Sequence, residues 1–121
     1  MRWPIKWKFQ PRQYMDRDDI LNSYKEAITH AGLTFKGKTM PYTSSNGHMF
    51  SQLNKDNQIG IRLSKEDTSA FDVKYGALPF FSYGAKMREY VLVPEEMLVD
   101  KEELSSYLKK GFEFVNSKPP K

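Results

Sequence analysis

The dipeptide Asn46-Gly47 limits this chain more than any other feature. Asn and Gly tolerate the positive φ angles of a type I′ turn, whose twist suits a two-residue link between antiparallel strands. Residues 38–45 before it and 48–53 after it are therefore expected to pair as a hairpin. A second polar turn, Lys55-Asp56-Asn57, leads into residues 59–63. There Ile59, Ile61 and Leu63 fall on one face of an extended strand, and Gly60 and Arg62 on the other. The expected unit is a three-stranded antiparallel meander with one face made for burial.

Helical patterns flank this meander. Between residues 16 and 32, Ile20, Leu21, Tyr24, Ala27, Ile28 and Ala31 recur at helical spacing, with Asp16 or Asp18 as cap and Gly32 as stop. Ser64 and Asp67 have capping-box spacing and open a short helix through Phe71 to about Tyr75, ended by Gly76. Residues 78–82 and 87–93 read as two further strands joined around Tyr83-Gly84, and Pro94 forbids continuation. Asp100 and Glu103 again have cap spacing, ahead of a stripe of Leu104, Tyr107, Leu108, Phe112 and Val115. Gly111 inside that stripe costs about 1 kcal/mol relative to Ala and so marks close backbone packing. Residues 117–121 read as a frayed end. The order helix, three strands, helix, two strands, helix predicts an α+β, two-layer fold: an antiparallel sheet with its helices on one face. The opposite face carries Tyr, Met and Arg and reads as a partner surface.

The charge is uneven. Residues 1–17 hold Arg2, Lys6, Lys8, Arg12 and Arg17 against Asp16 alone, so five minus one accounts for the formal net charge of +4. Residues 18–121 balance, with fourteen charges of each sign. The chain thus divides into a basic aromatic arm (1–17) and one domain (18–121), as 121 residues allow. In the arm, Trp3, Trp7 and Phe9 interleave with Lys6 and Lys8. Rings that stack on bases beside cations that neutralise phosphate suit single-stranded nucleic acid, and the same chemistry suits an anionic membrane surface. The structural reading is an edge strand or packed arm, since Ile5, Trp7 and Phe9 alternate while Lys on the other face discourages aggregation. No apolar run is long enough for a spanning helix or a signal peptide, which makes the cytoplasm the expected location.

Little catalytic chemistry is on offer. With no Cys there is no disulfide, thiol nucleophile or thiolate metal site. His30 and His48 lack partners at metal-ligand spacing. Asp18-Asp19, Glu66-Asp67, Glu95-Glu96 and Glu102-Glu103 all fall at helix starts, where the dipole explains acids without catalysis. Thr43-Ser44-Ser45 has hydroxyls but no visible base. No catalytic residue, metal or cofactor is expected. The candidate binding cluster is Lys38, Tyr42, Tyr83, Lys86, Arg88 and Tyr90, at strand ends and loops. Gathered into one patch, they would hold an anion, a nucleobase or an acidic partner; left apart, they are solvated charges beside amphipathic Tyr.

Three stretches, Gly47-His48-Met49-Phe50, Ile61-Arg62-Leu63-Ser64-Lys65-Glu66-Asp67 and Met87-Arg88-Glu89-Tyr90-Val91-Leu92-Val93-Pro94, occur in order ahead of the ending Phe114-Val115-Asn116-Ser117-Lys118-Pro119-Pro120-Lys121. Together they resemble the TfoX/Sxy N-terminal domain from about Asp18 onward. The resemblance implies the element order above in a secretion-chaperone-like fold, and it brings no catalytic residues. Full-length members regulate natural competence with the cyclic-AMP receptor protein and carry a second, helical domain. This sequence ends before such a domain, so the expectation is a stand-alone module. It departs from the family at Lys38-Thr39-Met40-Pro41-Tyr42, where Pro41 replaces the usual Gly, fixes φ and removes a backbone donor. The reading is a non-enzymatic binding or regulatory module that joins a protein partner or a second copy as a homodimer. The alternatives are a nucleic-acid binder using Trp3, Lys6, Trp7 and Lys8, and then a small enzyme.

Overall fold

The computed structural model describes residues 15–121. Among them are α1 (Arg17–His30), β1 (Tyr42–Ser45), β2 (His48–Leu53), β3 (Ile59–Arg62), α2 (Lys65–Tyr75), β4 (Phe81–Ser82), β5 (Ala85–Lys86), β6 (Tyr90–Leu92), α3 (Glu95–Leu98) and α4 (Lys101–Asn116). The fold is α+β. An antiparallel sheet runs in the order β1-β2-β3-β6, and β4 and β5 form a separate two-stranded ribbon.

Local chemistry starts each element where expected. The Asp16 carboxylate accepts the Asp19 N–H and the Asp19 carboxylate accepts the Asp16 N–H, a reciprocal cap on α1. Ser64 caps α2 through the Asp67 N–H, and Asp100 caps α4 through the Glu103 N–H. Asn46 and Gly47 take φ of 57° and 81°, so the β1–β2 turn has the positive angles its dipeptide predicts.

The core lies between the sheet and helices α1 and α4. Tyr24, Ile28, Leu104 and Leu108 meet Leu53, Ile59, Ile61 and Val91, all buried. Gly111 sets the closeness of this packing: a Cβ there would lie 2.9 Å from the Arg62 carbonyl oxygen. The buried Tyr24 hydroxyl shares a hydrogen bond with Ser51 Oγ (2.6 Å), which shares another with Thr43 Oγ1 (2.5 Å). Thr43 is thereby a structural hydroxyl in the core.

Three expectations are corrected. The segment after α2 makes three short strands instead of two. Only Tyr90–Leu92 joins the main sheet, while Phe81–Ser82 pairs with Ala85–Lys86 around Tyr83-Gly84. That ribbon folds over the sheet face read as a partner surface, so the centre of β2 and β3 is buried on both sides: Gln52 and Phe80 are fully buried. Two layers thus become a helical layer, a sheet and a small third layer. Pro94 ends β6 but also precedes the unexpected α3.

The residues after α4 are not frayed either. Asn46 Nδ2 donates to the carbonyls of Val115 (3.0 Å) and Lys118 (2.8 Å), and the Lys121 N–H donates to the Asn46 carbonyl (3.2 Å). A His48 ring nitrogen lies 3.0 Å from the Pro119 carbonyl oxygen. The turn residue Asn46 therefore also ties the last turn of α4 and the residues after it to the β1–β2 hairpin. At the other end, Arg17 Nη1 donates to the Asn54 carbonyl (2.8 Å) and Asn57 Oδ1 (2.9 Å), and Nη2 to the Thr39 carbonyl (2.6 Å). The last cation of the basic arm thus ties α1 to two loops of the sheet. The strand expected at Ile5, Trp7 and Phe9 lies outside the described residues.

Candidate functional site

The ribbon β4–β5 is held on the sheet by one ring and a few polar contacts. Gly60, in the middle of β3, exposes bare backbone; a Cβ built there would come within 2.3 Å of the Phe80 ring. Phe80 fills that space, fully buried, and stacks on Tyr90 with ring centroids 5.8 Å apart. Ser82 Oγ donates to Gln52 Oε1 (2.6 Å), Gln52 Nε2 donates to Tyr83 Oη (2.9 Å), and Asn54 Nδ2 donates to the Phe81 carbonyl (2.8 Å). Because strand side chains alternate, burying Phe80 and Ser82 turns Phe81 outward.

The outward face is what the ribbon offers to other molecules. Phe81 is 52% exposed and sits across the ribbon from Lys86, so ring and ammonium are cross-strand neighbours. Tyr83 forms the tip with Gly84, at φ of 54° and 74°, and is 72% exposed. A left-handed backbone costs a non-glycine residue about 1–2 kcal/mol, and Asn, Asp or Gly would fill this turn without that cost. A large aromatic thus stands at the tip in a turn that favours smaller residues. Beside it is a cleft of about 380 Å³, bounded by Met40, Lys55, Asp56, Phe81 and Tyr83.

The six predicted binding residues are divided by the fold. Tyr83 is the ribbon tip and Lys86 lies on β5. Tyr42 pairs with Gln52 across β1 and β2, so it shares the face to which Tyr83 is bonded. Tyr90 lies beneath the ribbon as a core residue, 8% exposed, its hydroxyl donating to the Met49 carbonyl (2.8 Å). Burial pushes its phenol far above the ordinary tyrosine range. Arg88 is exposed in the turn before β6, next to Glu89 at φ 68°, whose carboxylate takes two bonds from Arg62. Lys38 is exposed on the loop before β1. Tyr83 is thus bonded to Gln52, whose strand partner is Tyr42, Lys86 stands across the ribbon from Phe81, and Tyr90 is withdrawn into the interior.

Phe81 and Gln52 were not foreseen. The adjacent pair Phe80-Phe81 carries the missing signal, since two successive residues of a strand cannot both face inward. Trp3, Lys6, Trp7 and Lys8 lie outside the described residues. No described helix is long and apolar enough to cross a membrane. His30 ends α1, and among the described residues no three His, Asp or Glu side chains are grouped to hold a metal ion. Compared with known proteins, the chain matches no protein-family model, no curated protein and no solved structure.

Proposed function

We propose that this chain is a non-enzymatic binding module whose docking element is the outward face of ribbon β4–β5, and that it joins a second copy of itself through that face. The observation that carries the reading is Tyr83: an exposed aromatic at a turn position that disfavours it, on the same ribbon as Phe81 and Lys86. Aromatic side chains are enriched where proteins bury surface against each other, and backbone strain concentrates at functional positions. The TfoX/Sxy likeness in the sequence supports a regulatory module acting in the cytoplasm. Sedimentation equilibrium over a range of concentrations tests the dimer. Association should weaken at least tenfold in a Phe81→Ser, Tyr83→Asn double variant that keeps its circular dichroism. A wild-type chain that stays monomeric throughout sinks the self-association.

The positive charge of residues 1–17 supports a second reading, single-stranded nucleic acid held by Trp3, Lys6, Trp7 and Lys8. Anisotropy with a labelled oligonucleotide at low and physiological salt decides it: salt-sensitive binding that disappears with those four side chains favours it, and flat titrations remove it.

A further inference from the structure

One buried side chain fixes the ribbon's outward face against the cleft beside its tip. Asn54 Nδ2 donates to the Phe81 carbonyl (2.8 Å), and Asn54 Oδ1 accepts from the Asp56 N–H (2.9 Å) and the Gln58 N–H (2.9 Å). It therefore pins the ribbon on one side and the β2–β3 turn on the other. Lys55 and Asp56 of that turn are exposed, and with the half-buried Met40 they line the cleft that Phe81 and Tyr83 also bound. Its volume of about 380 Å³ lies within the range of ligand pockets, roughly 300–1,000 Å³, and has room for an aromatic ring.

Knob and socket thus stand side by side on one face, and their charges are opposite. Phe81 is 52% exposed with Lys86 across the ribbon from it, whereas Asp56 belongs to the cleft. Among the described residues neither Lys86 nor Asp56 makes an ion pair, so both charges are open to another molecule. A face with adjacent complementary parts can meet its own copy about a two-fold axis, where every contact is made twice and assembly closes at two. Head-to-tail use of the same parts would leave a knob and a socket free at the ends, and growth would continue.

We propose that the cleft receives Phe81 of a second copy, docked reciprocally, with Lys86 of each copy set against Asp56 of the other. The inference rests on the outward ribbon face as docking element and adds the surface that receives it. Docking takes the Phe81 ring out of water and lays it against Met40, whose thioether suits an aromatic neighbour. Because Asn54 holds the knob and the socket at a set spacing, little ordering is left to be done on association.

A charge swap read by sedimentation equilibrium tests the docking. Asp56→Lys and Lys86→Glu alter exposed side chains and leave the Asp56 N–H bonded to Asn54, so both variants should keep the parent's circular dichroism. The parent should reach a dimer and go no further. Each variant alone sets like charges together twice and should associate roughly tenfold more weakly or worse. In an equimolar mixture the two variants should form a heterodimer within a few-fold of the parent's affinity, because both ion pairs return, one of them reversed. Variants that dimerise as the parent does, while Phe81→Ser, Tyr83→Asn still disrupts association, overturn this docking and leave the ribbon face standing. A mixture no stronger than its components overturns it too, as do parent assemblies that grow beyond two. A parent that stays monomeric removes the self-association itself, and this docking with it.

Discussion

At the scale of single residues, two positions are fixed by what touches them. Gly60 leaves the Phe80 ring no room for a methyl group, so Gly60→Ala should destabilise the protein by about 1–3 kcal/mol, the usual cost of overpacking. Urea unfolding measures this, and an unchanged midpoint would mean that the ring can step aside. Asn46 has two separable duties. Its backbone makes a turn that Gly makes as well, whereas its side chain donates twice to the end of α4. Asn46→Gly should therefore keep the hairpin and still cost about 1–3 kcal/mol, from two lost hydrogen bonds at about 0.5–1.5 kcal/mol each. A loss of only a few tenths would show that the end of α4 needs no such cap. Nothing in the sequence around Asn46-Gly47 discloses the second duty, because Val115 and Lys118 are distant in the chain and meet it only after α4 has crossed the sheet.

Whole elements are tied together by a few side chains, and Arg17 is the clearest tie. One guanidinium reaches three acceptors on two loops. Arg17→Ala should cost about 1–3 kcal/mol, since a bond from a charged donor is worth about 1.5–3 kcal/mol when well formed and less when exposed. Lys at this position should recover under half of it, because an ammonium lacks the planar fork that meets separate acceptors. Thermal unfolding of the two variants checks both statements. Elements that carry their own signal were legible: the caps at Asp16, Ser64 and Asp100, the Asn46-Gly47 turn and the close approach at Gly111 all follow from local chemistry. The ribbon was misread because its strands are two residues long, too short for a period to register. The candidate site was half legible for the same reason. Tyr83 and Lys86 stand out by residue type, whereas the inward turn of Tyr90 depends on Gly60, a position thirty residues earlier.

Over the whole molecule, stability should fall at both ends of the pH scale, and one contact between α2 and α4 contributes to each. Glu103 accepts from Lys74 Nζ (2.6 Å) and Tyr75 Oη (2.5 Å) on the same oxygen. The Lys74 ammonium, and then the Tyr75 hydroxyl, hold the Glu103 carboxyl below its ordinary value of 4.5. A lowered carboxyl stabilises the fold above its unfolded value, and that gain is lost as pH falls through the lower folded one. Tyr75 is pushed up to about 12, first by burial and then by the Glu103 carboxylate. Its share is therefore complete below the unfolded value of 10.0 and lost as pH rises toward 12. Burial raises Tyr24 and Tyr90 as well, which steepens the alkaline fall. Urea unfolding across pH should show Glu103→Gln flattening the acid limb below about pH 4.5. An acid limb identical to that of the parent would assign the loss to other carboxylates.

The ribbon's seat has a consequence for descent. Phe80 rests where Gly60 has no side chain, so neither position is free to drift alone. Among related sequences the two should change in concert: glycine at 60 wherever 80 is aromatic, and a small aliphatic at 80 wherever 60 has gained a carbon. Lineages that lost the ring would keep the meander and the helices but lose the anchor of β4–β5, and with it any pressure to retain an aromatic at position 83.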